Sequence, residues 1–330
     1  MCQALAALVA NLIAFVAAYV VAPTAGAQPV TFPAAFPAVV RLVVPFAAGA
    51  GTDVIARVVA AQLGPHLGAN VIVENRVGAS GLIGSSAVAK GPRDGSMLLF
   101  TSSSLTTTAA TAKTMLFDIN ADLVAVAIVA DGPMLVGVSA KSGIKTPAEL
   151  VAAARAKPGG LTSSSGGIGT VGHMAAELLN DAAKIQMLHI PYKGAAPALT
   201  DVAAGTVDLL IASSSTLAPQ IKAGRVVPIA VTSREPSLAY PGMPTMDSAA
   251  PGYNAGIWYG LFAPAGMPAP MVQRLNREVN EIANTPKVRA ITEGDGAFPL
   301  AMTPEELGRR VREDYATWRR LAAEKNIVTD

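Results

Sequence analysis

The 330-residue sequence has one cysteine and three histidines, and it has no charged residue before Arg41. The cysteine, Cys2, lies in an apolar N-terminal segment, so the rest of the chain can form no disulfide and offers no thiol nucleophile. The histidines, His66, His173 and His189, lack the spacing of metal ligands, both among themselves and with nearby acids. The Gly-x-Ser-x-Gly motif of a nucleophile elbow is also missing. We therefore expect no catalytic residues, no metal and no cofactor.

Charge of either sign is scarce. Charged residues make up 15% of the chain, whereas hydrophobic residues make up 51%. This composition favours a folded protein over a disordered one, and the length is sufficient for two domains. The net charge is +2, and the basic residues form no block and no face interleaved with aromatic residues. Nucleic acid is therefore not expected as a partner.

The charge-free N-terminal region has the pattern of an export signal. Residues 4–22 are almost wholly apolar, and the small residues Ala25, Gly26 and Ala27 follow just before Gln28. An apolar run closed by small residues is typical of a signal peptide and its cleavage site, although the basic residues that usually precede the run are missing. We predict a signal peptide over residues 1–27 and an N-terminal extension over residues 28–37, with an exported mature protein.

Beyond residue 38, short β-branched runs alternate with amphipathic helical patterns, which predicts an α/β protein with mainly parallel sheets. Two helix starts have a Thr cap, a Pro at the first helical position and a Glu three residues after the cap, at Thr146 and Thr303. The predicted strands are 39–44, 70–73, 97–101, 124–129, 134–138, 187–190, 207–212, 226–231 and 257–262. The predicted helices are 53–63, 148–156, 171–183, 195–204, 270–283 and 304–325.

The loop from Pro45 to Asp53 is the first candidate for ligand binding. In parallel sheets the loops leaving the carboxyl ends of strands bind ligands and run into helix N-termini. This loop is rich in Ala and Gly, so its N–H groups can approach a ligand, and the helix start favours an anion by about 0.3–1 kcal/mol. Thr52 or Asp53 is predicted to cap that helix. A plain connecting turn fits the same residues equally well.

The second candidate is the loop from Ser163 to Thr170. Gly167, Gly169 and Gly172 match the dinucleotide pattern G-x-G-x-x-G, so a nucleotide-dependent enzyme using this loop is an alternative hypothesis. However, residues 161–165 are mostly hydroxylic instead of the buried apolar strand that the pattern requires, and no ribose-binding acid follows about 20 residues later. Hydroxyl and N–H groups together suit a carboxylate better than a pyrophosphate.

Three further segments follow predicted strands. Residues 101–108 and 213–216 are almost entirely hydroxylic, and Lys193 lies in the short segment 191–194. Hydroxyl groups can donate to a carboxylate, and Lys193 can pair with an anion. Such hydroxylic segments are also simply solvated loops, and we slightly favour that interpretation for both. An ordinary exposed lysine is the commoner interpretation of Lys193.

Nine segments together carry a family resemblance. In chain order they are 44–57, 73–84, 87–95, 117–118, 163–173, 192–194, 230–233, 244–245 and 258–266. They include Val44-Pro45-Phe46, Val73-Glu74-Asn75-Arg76, Tyr192-Lys193-Gly194 and Trp258-Tyr259-Gly260. This ordered set resembles the Bug family, the periplasmic solute-binding receptors of tripartite tricarboxylate transport systems. Each motif is modest alone, but the set covers essentially the whole chain beyond the signal segment.

The resemblance implies a Venus-flytrap fold, in which two α/β domains close around a carboxylate. The chain would cross between the domains near residues 130–133 and 250–256, which gives one domain of residues 38–130 and 256–330 and a second of residues 131–255. It also implies a monomeric receptor that passes a small organic acid to membrane permease subunits of a tripartite tricarboxylate transporter or to a sensor protein.

In the family, the first loop and the Ser-Gly-rich loop grip the carboxylate, and the resemblance carries this role onto the present chain. The expected ligand-binding residues, with the hydroxylic segments included, are Pro45, Phe46, Ala48, Gly49, Thr52, Asp53, Ser102, Ser103, Ser164, Ser165, Gly167, Gly169, Thr170, His173, Lys193, Gly194 and Ser213. Family members often have an acid or an amide near Ser213. The serine removes an acidic partner for a ligand ammonium, which weakens the case for an amino-acid ligand.

Overall fold

A computed structural model describes residues 35–329 of the chain, and these residues belong to one compact unit. The predicted signal peptide, residues 1–27, lies outside the described residues, as do residues 28–34 of the predicted extension. The end of that extension is part of the fold, because Phe36 is buried and the guanidinium carbon of Arg274 lies 5.5 Å from the centre of its ring.

Two five-stranded sheets form the framework. The strands are β1 (Val39–Val44), β2 (Asn70–Asn75), β3 (Met97–Ser102), β4 (Leu123–Pro133), β5 (Leu135–Ser139), β6 (Thr162–Ser165), β7 (Leu188–Pro191), β8 (Leu209–Ala212), β9 (Val226–Val231) and β10 (Gly256–Pro264). The first sheet has the order β2-β1-β3-β10-β4, and the second has the order β7-β6-β8-β5-β9. Each sheet combines parallel pairs with one antiparallel strand, β10 in the first and β5 in the second.

Ten helices of the described residues surround these sheets. They are α1 (Gly51–Leu67), α2 (Leu82–Ala89), α3 (Ser104–Thr111), α4 (Pro147–Ala156), α5 (Val171–Ala183), α6 (Ala195–Ala204), α7 (Ser214–Lys222), α8 (Ala269–Ala283), α9 (Pro286–Gly294) and α10 (Pro304–Glu324). We call the first sheet with α1–α3 and α8–α10 the first lobe, and the second sheet with α4–α7 the second lobe. Within residues 35–329, no helix is both long and apolar enough to cross a bilayer. The predicted α/β, two-domain fold class is confirmed.

The sequence predicted most strands within a few residues, because their β-branched runs are the buried centres of the sheets. Valine and isoleucine fit a pleated surface that is covered on both faces. In β1, for example, Val40, Leu42 and Val43 are fully buried. Both predicted helix caps are also confirmed. Thr146 accepts a hydrogen bond from the Glu149 N–H, and Thr303 forms a complete capping box with Glu306.

Two hydroxylic segments have more structure than we predicted. Residues 162–165 form β6, with Ser163, Ser164 and Ser165 buried. Residues 101–108 were interpreted as a solvated loop, but residues 104–111 form α3, in which every residue is buried. Both predictions were wrong because apolar periodicity cannot reveal an element that is buried through hydroxyl groups.

The chain crosses between the lobes at two adjacent points. Strand β4 remains in the first sheet up to Pro133 and β5 begins at Leu135, so Met134 makes the first crossing. The Met134 N–H donates to Thr232 Oγ1 at 2.8 Å, and the Thr232 N–H donates to the Met134 carbonyl at 3.0 Å. The Ala255 N–H, just before β10 begins in the first sheet, donates to the Thr232 carbonyl at 3.0 Å, so Thr232 joins the two crossings. The predicted domain boundaries stay a prediction.

The crossing region predicts a large stability difference between two glycine-to-alanine changes. At Gly132, an added Cβ would lie 2.4 Å from the Gly296 carbonyl oxygen and 2.6 Å from Ala297 Cα. Since backbone atoms cannot move aside cheaply, we expect Gly132→Ala to lower the free energy of unfolding by about 1–3 kcal/mol.

Gly294 is the matched control, because no heavy atom lies within 4 Å of its added Cβ. We expect Gly294→Ala to be neutral or slightly stabilising, since it lies in the last turn of α9. Urea denaturation of both variants measures the difference. Equal stability of the two variants would contradict the close packing at Gly132.

Candidate ligand-binding site

The first loop leads into α1, whose start has no side-chain cap. Ala50 is the N-cap residue, with extended backbone, and no side chain accepts a hydrogen bond from the first turn. The prediction that Thr52 or Asp53 caps α1 was wrong, because both residues are already in the first helical turn. The uncapped N–H groups and the positive end of the helix dipole together make this start suitable for an anion.

Asp53 determines the shape of this loop. Its carboxylate accepts hydrogen bonds from the Gly49 N–H at 2.8 Å, from Arg57 at 2.9 and 3.0 Å, and from Asn75 Nδ2 at 2.8 Å. Burial alone would raise the pKa of Asp53, but the bonds from Arg57, Gly49 and Asn75 outweigh it and hold the pKa below its ordinary value. Asn75 also donates to the Phe46 carbonyl at 2.9 Å. Asp53 is therefore occupied within the protein.

The remaining predicted residues of the first loop differ in exposure. Pro45 and Thr52 are buried and Phe46 is half-buried, whereas Ala48 and Gly49 are exposed. Gly49 has φ +80°, a conformation that favours glycine. The loop thus projects an exposed tip from a buried base.

The second loop joins β6 to α5, and its glycines have structural roles. Gly167 and Gly169 have φ values of +144° and +78°. A Cβ at Gly172 would lie 2.5 Å from the Ile211 carbonyl oxygen, so this glycine allows α5 to pack closely on β8. Thr170 is the N-cap residue of α5, but its hydroxyl donates to the Gly167 carbonyl at 2.8 Å and does not cap the helix. The G-x-G-x-x-G pattern is thus explained without a nucleotide.

Two stacked histidines support this loop from behind. The rings of His173 and His189 lie 3.7 Å apart between centroids. The Gly169 N–H donates to His173 Nδ1 at 3.0 Å, and Ser165 Oγ lies 2.7 Å from His189 Nε2. Burial, with a smaller effect of His189, lowers the pKa of His173 to about 3, and burial lowers the pKa of His189 to about 4. Both rings are therefore neutral near pH 7, as the acceptor role of Nδ1 requires.

Hydroxyl groups of the first lobe contact the second loop directly. Ser104 Oγ accepts a hydrogen bond from the Val171 N–H at 3.2 Å, and Thr108 Oγ1 donates to the Gly169 carbonyl at 3.5 Å. Ser80 Oγ donates to the Ile168 carbonyl at 3.0 Å. These contacts bring the two lobes together around the loops, which is the arrangement of a closed cleft.

Ser80 is a residue that the sequence analysis did not single out as a ligand contact. Ser80 has φ +51°, and the preceding residue Ala79 has φ +44°. Two successive non-glycine residues in this region store backbone strain, which is common where ligands bind. The resemblance segment 73–84 includes Ser80, but no residue pattern there indicates a side chain that reaches the other lobe.

The third helix start at the cleft is that of α7. Ser213 is its buried N-cap residue, and a Cβ added to Gly51 would lie 3.0 Å from Ser213 Oγ and 2.8 Å from Ser215 Oγ. The starts of α1 and α7 therefore face each other. Asp295 of the first lobe accepts a hydrogen bond from the Ser215 N–H at 2.7 Å and another from the Tyr259 hydroxyl at 2.6 Å. Neither Asp295 nor Tyr259 was predicted as a site residue from the sequence.

Several buried hydroxyl groups near the ends of the central strands have no hydrogen-bond partner in the protein. They are Thr101 Oγ1 and Ser103 Oγ at the end of β3, and Ser163 Oγ in β6. Ser102, by contrast, accepts a bond from the Ser104 N–H at 3.4 Å. A buried hydroxyl without a partner is unfavourable unless a ligand or water satisfies it.

The other predicted residues have different surroundings. Ser164 donates to the Leu209 carbonyl at 3.1 Å and so belongs to the sheet. Lys193 is exposed, and Gly194 has φ +119° and donates its N–H to the Gly166 carbonyl at 3.0 Å. As ligand contacts, all seventeen predicted residues stay a prediction.

A surface cluster with metal-ligand geometry lies between α1 and α8. Ligand atoms of His66, Glu278 and Glu281 lie within 4.8 Å of one another. The sequence analysis overlooked this group because His66 is far from the glutamates along the chain. His66 Nδ1 lies 2.6 Å from Glu278, and the Arg274 guanidinium donates to the His66 carbonyl and lies 3.9 Å from Glu278. An arginine already supplies positive charge there, which disfavours a cation.

Two lobes joined by a double crossing, with helix starts facing a closed cleft, define the class of two-lobed solute-binding receptors. Comparison with known proteins agrees. Residues 55–327 match the model of the tripartite tricarboxylate transporter family receptor. The chain belongs to this family.

Individual relatives give the same result. BugT of Bordetella pertussis is 33% identical over 282 residues, which cover 84% of this chain and 86% of BugT. An R. palustris protein solved with adipate is 32% identical with a TM-score of 0.82, covering 88% of this chain and 98% of that one. MatC from Rhodopseudomonas palustris, solved with bound malate, is 28% identical with a TM-score of 0.79, covering 88% and 99%. The predicted membership of the Bug family is confirmed.

The buried histidine pair predicts that acid destabilises the protein. Above pH 6.5 both histidines are neutral in the folded and the unfolded chain, so they give no pH dependence. As the pH falls from 6.5 towards 4, only the unfolded chain takes up the two protons, so the free energy of unfolding decreases. The expected slope is about 1.4 kcal/mol per pH unit for each histidine.

His173→Asn tests this sign and size, since the asparagine oxygen can still accept the Gly169 N–H. We expect the variant to take up about one proton fewer on unfolding than the unmodified protein. Its free energy of unfolding should therefore decrease less steeply as the pH falls from 6.5 to 4. Urea denaturation across this range gives both slopes. Parallel curves for the two proteins would show that His173 is not buried in its neutral form.

Proposed function

We propose that this receptor binds a small organic acid in the cleft between its lobes. The observation that carries the proposal is the start of α1, which has no side-chain cap and faces the start of α7 across the cleft. It offers backbone N–H groups to an anion. The buried Ser103 hydroxyl, which has no partner in the protein, lies in the segment leading to α3 and can donate to the same anion. Relatives solved with adipate and malate support this ligand class.

The same proposal covers the protein's partners and location. The mature chain is periplasmic, acts as a monomer, and delivers its ligand to the permease subunits of a tripartite tricarboxylate transporter or to a sensor protein. Its domains are residues 38–130 with 256–330 and residues 131–255, and it closes by rotation about Met134 and Thr232. Family membership and the confirmed similarity to BugT support these assignments.

We further propose that the protein has no catalytic activity. The family model and the solved relatives are those of binding proteins. The alternative of a nucleotide-dependent enzyme at Gly167–Gly172 gains no support from the comparisons. All three glycines are explained by turn geometry and helix packing.

A thermal-shift panel tests the ligand class. We expect at least one small organic acid to raise the melting temperature, and NAD and ATP to leave it unchanged. At about 100 times the dissociation constant, a ligand that binds only the folded state adds roughly 2.7 kcal/mol of stability. Stabilisation by nucleotides with no response to a broad panel of acids would overturn the proposal.

The Ser103 hydroxyl provides a sharper test with the acid that this panel identifies. Because Ser103 Oγ has no protein partner, Ser103→Ala should leave stability unchanged. It should nevertheless weaken binding about tenfold to a hundredfold, since a hydrogen bond to a charged group contributes about 1.5–3 kcal/mol.

Ser163→Ala is the matched control, because its hydroxyl is equally buried and unpartnered but lies within β6. We expect its affinity to stay within about threefold of the unmodified protein, which corresponds to less than 1 kcal/mol. Calorimetry on the two variants decides the matter. An unchanged affinity in Ser103→Ala would remove that hydroxyl from the site.

A further inference from the structure

Asp295 is a buried carboxylate at the junction of the two lobes. It follows α9 in the first lobe, yet it accepts the Ser215 N–H at the start of α7 in the second lobe. Its side of the cleft also contains the Tyr259 hydroxyl, which donates to its second oxygen. The residue is 1% exposed. A carboxylate supplied by the protein itself thus occupies a helix start that faces the cleft.

The groups that stabilise the charged form of Asp295 are uncharged hydrogen-bond donors. Burial raises the pKa of Asp295, and hydrogen bonds from Tyr259, Ser215 and Ser213 act in the opposite direction. Among the described residues, no ion pair includes Asp295. In its ionised form, its charge is therefore balanced by the α7 dipole and by hydroxyl and N–H groups, as that of a bound anion would be.

This position is next to the first ligand loop. A Cβ added to Gly51, the first residue of α1, would lie 3.7 Å from the Tyr259 hydroxyl and 2.8 Å from Ser215 Oγ. The Tyr259 hydroxyl donates to Asp295, and Ser215 is the residue whose N–H donates to it. An acid held at the start of α1 therefore lies close to the Asp295 carboxylate. The free N–H groups and dipole of α1 compensate one ligand carboxylate, whereas a further negative charge beside Asp295 has no such compensation.

We propose that Asp295 makes this receptor selective for monocarboxylates. The inference rests on the proposed carboxylate-binding function. One ligand carboxylate occupies the uncapped start of α1. A second would need the start of α7, where Asp295 already accepts the Ser215 N–H and repels further negative charge. The remote end of the ligand must then be uncharged, unlike that of adipate or malate in the solved relatives.

The experiment compares linear monocarboxylates with dicarboxylates of the same carbon number, including hexanoate against adipate, by calorimetry. We expect the protein to bind the monocarboxylate at least about tenfold more tightly at the chain length that binds best. In Asp295→Asn, which keeps the shape and removes the charge, the dicarboxylate should gain affinity and this ratio should shrink about fivefold or more.

Asp314→Asn is the matched control. Asp314 is also a buried carboxylate whose pKa burial raises, and it accepts a bond from Trp258 Nε1 at 2.9 Å within the first lobe. Its removal should leave the ratio unchanged. Tyr259→Phe provides a second variant if Asp295→Asn does not fold, because it removes one donor and keeps the carboxylate. It should therefore preserve the preference for monocarboxylates.

Three results would overturn the inference. The unmodified protein could bind dicarboxylates as tightly as monocarboxylates, or Asp295→Asn could leave the ratio unchanged. A preference for 6-aminohexanoate that disappears in Asp295→Asn would instead make Asp295 the partner of a ligand ammonium. In each of these cases the protein still binds acids, so the proposed function stands. If no acid binds to any of the proteins, the proposed function and this inference fail together.

Discussion

The unsatisfied N–H groups at the start of α1 are the feature on which the proposed site depends. Thr146 and Thr303 cap α4 and α10 with their own side chains, whereas α1 begins at Ala50 without such a cap. A missing cap typically costs about 1 kcal/mol. On the proposed function, an anion in the cleft supplies the missing acceptor at α1, and ligand binding recovers that stability.

Keeping these N–H groups in place requires rigid support behind each loop. Asp53 fixes the first loop by accepting bonds from Gly49, Arg57 and Asn75. The second loop depends on the neutral His173 ring, which accepts the Gly169 N–H. Neither residue needs to touch a ligand to matter. Both were predicted as ligand contacts. Their observed bonds to the loops give a second reason for an aspartate and a histidine at these positions.

The sequence predicted the fold well where burial is achieved by apolar side chains. It predicted β1 and β9 with their observed bounds, because β-branched runs are distinctive. It missed α3 and misjudged β6, since both are buried through hydroxyl groups. The family resemblance gave the two loops, but it could not give Asp295. That residue lies 80 positions from its partner Ser215, and only the closed arrangement of the lobes brings them together.

Asp295 also changes how Ser213 is interpreted. From the sequence, the serine removes an acidic group that relatives often have near this point. In the structure an acid is present after all, because Asp295 reaches the start of α7 from the other lobe. Its origin matters, since this carboxylate belongs to the first lobe and its acceptor role is in the second. If the lobes close around the ligand as proposed, closure brings this negative charge into the cleft together with the hydrogen bonds that hold the ligand. On that proposal a solute is retained only if it tolerates the charge, so the closing motion itself contributes to selectivity.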